Sequence, residues 1–165
     1  MKKLKMVKRG LDRILLISSL TLLAVMVVVI IVQVFSRQLF SYTPSWSEEL
    51  SRVLFVWVSF LGIAYGFKEK LHIGVGLIVN MLPDKIQTLF DYIAKTIVII
   101  LGVFMVYYGW LFTTLMGRST LPGLGLPSSV LYASIPVTGV FVTLYGIELL
   151  FRKGMHQDFD GAAEG

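Results

Sequence analysis

Glu48, Glu49 and Arg52 stand together at the head of an apolar run, with Trp46 before them and Trp57 behind. On a helix, Glu48 and Arg52 are four residues apart and share a face, while Glu49 and Arg52 are three apart. Two readings are open. Acids at a helix start sit favourably against the helix dipole, and the arginine then completes a surface ion pair. Alternatively, the uncharged stretch that follows, 53–67, is only 15 residues long. A membrane helix built on it must carry these charges near or inside one interface. Charges at membrane depth face protein or water and mark a functional contact. If the partner is another membrane subunit, the three residues fix the register of assembly. Gly62 and Gly66 form a small-xxx-small pair further along the same helix, suited to close helix packing.

Other chemistries lack their residues. The chain has no cysteine, which excludes disulfide frameworks, thiolate metal sites and thiol nucleophiles. His72 and His156 are its two histidines, and neither has a second ligand at metal spacing. The serines have no activating histidine at membrane depth. The glycine pairs Gly74/Gly76 and Gly123/Gly125 do not follow strands, so a phosphate loop fails its context test. A membrane enzyme is therefore not expected. An autonomous small transporter of the multidrug type wants an acid buried mid-span, and none lies within 53–67 or 96–116.

These residues are positioned by membrane helices. The chain is 165 residues long, with 56% apolar and only 15% charged residues, too little polar surface to clothe a water-soluble globule. We expect an all-α integral membrane protein with four transmembrane helices. The first span holds 21 uncharged residues, 14–34, enough to cross a hydrocarbon core of about 30 Å, and it reads as an uncleaved anchor. Ser45 and Glu48 have capping-box spacing at the start of the second. The spans are placed at about 14–36, 46–67, 89–116 and 128–151, between a basic segment 1–13 and a tail 152–165. A short interfacial helix is expected at about 72–82, then a restart with Asp91 and Lys95 on one face. The loop 117–127 is expected to be irregular, and Pro136 to kink the fourth span. Glu148 and Arg152 share a face at its end.

Orientation follows from Lys and Arg. Six lie before the first span, four between spans two and three, and two after the fourth, whereas Arg37, Arg52 and Arg118 alone fall on the other side. That excess places both termini in the cytoplasm. The net charge of +5 thus belongs to topology and anionic lipid, and no nucleic-acid partner is expected. Arg37 and Arg118 lie where basic residues are depleted. They are either snorkelling interface cations or a docking surface for an acidic partner.

The chain resembles the small membrane subunit of tripartite ATP-independent periplasmic (TRAP) transporters. The resemblance is carried by Ser36-Arg37-Gln38 after the anchor and by Trp46-Ser-Glu-Glu-Leu-Ser-Arg-Val-Leu-Phe-Val-Trp57, followed by Gly62. His72-Ile73, Leu82-Pro83, Pro127-Ser128 and Pro136 extend it over nearly the whole chain. Gly76 departs from the pattern, since many members carry an aspartate shortly after the His-Ile pair. The resemblance implies a bacterial inner-membrane complex in which a large multi-span permease holds the substrate and sodium sites. A periplasmic binding protein would deliver an organic acid such as a C4-dicarboxylate, sialic acid or another sugar or keto acid. The small subunit would brace the permease while its transport domain moves, with no cofactor of its own and with membrane lipids around it. The permease would be a separate chain. The large-subunit interface is then expected at Trp46, Glu48, Glu49, Arg52, Trp57 and Gly62, and the binding-protein contact at Arg37 and Arg118. An autonomous small multi-span transporter, or a scaffold subunit of another membrane complex, is the alternative.

Overall fold

The computed structural model describes residues 2–68 and 84–151. In a bilayer no water is available to the backbone, so each apolar run closes its hydrogen bonds internally as a helix. Helix α1, Lys2–Phe40, has 39 residues and is about 58 Å long, roughly twice the hydrocarbon thickness, so it projects beyond the apolar run. It ends at Ser41, whose φ of 52° lies in the left-handed region where helices commonly stop.

Helix α2, Ser45–Lys68, follows at once. Its first turn differs from the expected capping box. Pro44 O accepts both the Ser47 amide (3.0 Å) and the Ser47 hydroxyl (2.7 Å). The helix thus begins one residue earlier than a Ser45 cap requires. Pro44 has no N–H to satisfy and its carbonyl takes the first helical bond.

Helix α3, Asp84–Met116, is one continuous helix of 33 residues. The restart and the third span are therefore a single element. The expected interfacial helix at 72–82 and the tail 152–165 lie outside the described residues. The loop after α3 is more regular than expected. Strands β1, Thr120–Leu121, and β2, Leu126–Pro127, pair antiparallel, Thr120 with Pro127 and Leu121 with Leu126. Leu121 O accepts the amides of Leu124 and Gly125, and Gly125 supplies a φ of +66° that the tight return needs. Then come α4, Ser129–Tyr132, and α5, Ser134–Phe151. The break falls at Ala133, three residues before Pro136, whose ring and missing N–H interrupt the helical ladder there.

Among the described residues, four helical segments are long and apolar enough to cross a membrane: Gly10–Phe40, Ser45–Phe67, Tyr92–Met116 and Ser129–Leu150. The chain is an all-α, multi-pass membrane protein. The helices form an open row. α1 lies on α2, α2 on α5 and α5 on α3, while α1 and α3 share no extensive contact.

The tightest seam joins α3 and α5, which run antiparallel. A Cβ placed at Gly102 would lie 2.8 Å from Thr143 N, one at Gly139 2.8 Å from Val106 N, and one at Gly146 2.8 Å from Ile99 Cγ1. With no hydrophobic driving force between helices in lipid, such close backbone approach provides the van der Waals contact that holds them. A second line of buried residues on α4 and α5, Leu131, Ser134, Thr138, Val142, Tyr145 and Leu149, recurs at helical spacing. Along it Tyr145 meets Leu15 of α1 and Ala64 of α2.

Candidate functional site

The structure divides the residues expected at a subunit interface into two groups. Glu49 and Trp57 turn inward. Glu49 Oε2 accepts the Leu124 amide at 2.9 Å, and Trp57 Nε1 donates to Val130 O at 2.9 Å. Both contacts fasten α2 to the hairpin and to α4. Gly123 completes this junction, since a Cβ there would lie 2.7 Å from Ser45 O. Trp46, Glu48, Arg52 and Gly62 are exposed. No ion pair joins Glu48 to Arg52 among the described residues, although they share a face.

The hairpin end of the row also carries the two arginines singled out by the charge count. Arg37 lies in the last turn of α1 and Arg118 just beyond α3, and both are exposed. Arg118 precedes β1, which pairs with the strand leading into α4. The hairpin that holds it is therefore clamped from two sides, by Glu49 and by the ladder.

At the opposite, basic end lies a polar group that the sequence reading passed over. Tyr145 Oη donates to Asp12 Oδ1 at 2.8 Å. Tyr145 is only 7% exposed, so its hydroxyl requires such a partner. Lys95 is also buried, with its Nζ 5.8 Å from the Tyr92 ring centroid. The antiparallel α3–α5 register, in which Gly146 faces Ile99, sets Lys95 within about a turn of Glu148. A buried cation needs such a neighbourhood. The available signal was that Asp12 is the single acid ahead of the first span.

On the α3 side, an apolar groove of about 480 Å³ lies along Phe104, Tyr108, Leu111, Phe112 and Leu115, closed at its floor by Gly109 and Ile135. It offers no charged group. Among the described residues no three His, Asp or Glu side chains gather as a metal ion would need. The charged side chains among the described residues sit at the two ends of the row, and its middle is uncharged.

Comparison with known proteins identifies this architecture. The profile of the family described as "Tripartite ATP-independent periplasmic transporters, DctQ component" matches residues 26–154. The sialic acid TRAP transporter small permease protein SiaQ of Vibrio cholerae is 29% identical over 151 residues, covering 91% of this chain and 87% of that one. The C4-dicarboxylate TRAP transporter small permease protein DctQ of Rhodobacter capsulatus is 27% identical over 114 residues, 64% of this chain and 48% of the relative. The sialic acid TRAP transporter permease protein SiaT of Haemophilus influenzae is 31% identical over 81 residues, 49% of this chain but 13% of that much longer protein. With four apolar spans in a row, an uncharged middle and a family profile matched over most of its length, the chain belongs to the DctQ component family of TRAP transporters.

Proposed function

We propose that this chain is a non-catalytic bracing subunit. It would hold a large multi-span permease in place during sodium-driven, binding-protein-dependent uptake of an organic acid across a bacterial inner membrane. The observation that carries this reading is the open row with its charges confined to the two ends. A cargo or ion path wants ionisable groups at membrane depth, and the spans offer none mid-way. Four helices in a row instead form a wall, stiffened by the glycine seam and the contacts at each end. SiaT supports the partnership, because a stretch similar to this chain there occupies a small part of a far longer permease. Sodium and substrate then bind in the permease, and this chain needs no cofactor.

The basic end is the cytoplasmic one, as the distribution of Lys and Arg argues. The hairpin end, with Arg37 and Arg118, then faces the periplasm and the binding protein. Relatives named for sialic acid and for C4-dicarboxylates support an organic acid as the cargo. The test is uptake of labelled sialic acid and of labelled C4-dicarboxylates into vesicles holding the cognate permease, with binding protein outside and a sodium gradient imposed. Uptake is expected only when this chain is co-reconstituted. Equal uptake without it overturns the bracing role.

A further inference from the structure

Glu48, Arg52, Phe55, Ser59 and Gly62 recur at spacings of four and three, so they form one stripe along α2. Phe55 is 61% exposed, Glu48, Arg52 and Gly62 are exposed, and a Cβ placed at Gly62 would meet nothing within 4 Å. The Ser59 hydroxyl is satisfied by Phe55 O of its own helix at 2.8 Å. Arg52 lies about 10 Å and Gly62 about 25 Å along the helix from Ser45. The stripe thus runs from a charged end to a bare backbone in the last third of α2, six residues before Lys68. Unlike the glycines of the α3–α5 seam, Gly62 has no partner helix among the described residues.

We propose that this stripe seats one transmembrane helix of the large permease, which approaches most closely at Gly62. That helix would carry a carboxylate toward Arg52, a basic or hydrogen-bond-donating group toward Glu48, and a bulky apolar side chain over Gly62. The assignment rests on the bracing role proposed above and names the surface that performs it. Two features of the stripe select this occupant. An anionic lipid headgroup would match Arg52 but be repelled by Glu48 one turn away. A second copy of this chain, related by a two-fold axis along the membrane normal, would bring Arg52 to the depth of its own symmetry mate, like charge to like. A different helix of mixed charge meets both ends of the stripe without conflict. It also covers a polar pair that is otherwise costly near the hydrocarbon.

The test uses the full chain co-expressed with its cognate permease. Gly62→Leu enters open space, so the melting temperature of the chain purified alone is expected to be unchanged. Recovery of permease with the tagged Gly62→Leu chain is expected to fall about tenfold, equivalent to about 1.4 kcal/mol of association free energy, and likewise with Arg52→Glu. Leu111→Ala, in the α3 groove, serves as the comparison and should recover permease as the wild type does. Because the chain has no cysteine, Ile63→Cys and Phe55→Cys offer an independent readout by cross-linking. An adduct of chain plus permease supports the assignment; an adduct of two chains, or none to any protein, overturns it. Undiminished recovery with both Gly62→Leu and Arg52→Glu also overturns it while leaving the bracing role standing. If the wild-type chain recovers no permease at all, the bracing role itself fails.

Discussion

Tyr145 donates its phenol to Asp12 Oδ1 at 2.8 Å across 133 residues of sequence, joining the last helix of the chain to the first. α1 otherwise rests on α2, so this bond, with Leu15 and Ala64 packed beside it, draws the basic end of the row together. At the hairpin end the same task falls to Glu49 and Trp57 of α2. Polar contacts thus fasten both ends of the wall, and between them the helices touch through small or apolar side chains.

Removing the phenol should loosen the basic end. A hydrogen bond to a charged group contributes about 1.5–3 kcal/mol. Tyr145→Phe should lower the thermal midpoint of the purified chain by a corresponding amount while keeping its helix content. Asp12→Asn combined with Tyr145→Phe should cost less than the two separate losses together, since the pair acts as a unit. Strict additivity in that cycle would show that the bond holds nothing.

The α3–α5 seam should be the least tolerant part of the molecule. Gly102→Leu must push Thr143 and its backbone away, and Gly139→Leu must displace Met105 and Val106. Overpacking of this kind typically costs about 1–3 kcal/mol. Melting temperatures in detergent are expected to drop for both. If Gly102→Leu melts as the wild type does, the seam is looser than its geometry indicates.

The contrast between glycines shows what sequence could and could not give. The number of spans followed from the long uncharged runs, because a bilayer admits only helices of that length. The break before Pro136 followed equally directly. The small-residue motif at Gly62 and Gly66 was legible as a motif, but not where it points. Among the described residues, helices pack closely at Gly102, Gly109, Gly139 and Gly146, spaced seven residues apart on each of two helices. Facing glycines are a property of pairs of helices, and a pattern along one helix does not reveal its partner. For the same reason Glu48 and Glu49, adjacent in sequence, have opposite fates. A step of about 100° around the helix axis separates a residue that faces out from one that grips Leu124. The hairpin went unseen because a two-residue ladder leaves no periodicity to read.

Glu49 should therefore report on the hairpin. Glu49→Ala leaves the Leu124 amide without its acceptor, at a cost of about 1–3 kcal/mol if the amide stays dry. Glu49→Gln keeps an acceptor oxygen at nearly the same place. Hydrogen exchange over residues 120–127 should speed up by about tenfold or more in the alanine variant, and much less in the glutamine variant. Equal exchange in all three proteins would mean that the ladder alone holds the loop.

Arg37 and Arg118 lie exposed at the hairpin end, one on α1 and one at the base of the hairpin. Rim charges act mainly on the rate of encounter and only weakly on affinity. Reversing both, in Arg37→Glu with Arg118→Glu, should therefore raise the concentration of binding protein needed for half-maximal uptake, by about tenfold at low salt. The defect should shrink as ionic strength rises, because exposed charges are screened over about 10 Å at 0.1 M salt. Recovery of the permease with the double variant should stay at the wild-type level, since neither arginine belongs to the α2 stripe. Uptake in reconstituted vesicles, titrated with binding protein at two salt concentrations, separates the outcomes. A defect that persists unchanged at high salt would assign these arginines to folding or assembly. No defect at either salt would return them to the role of interface anchors.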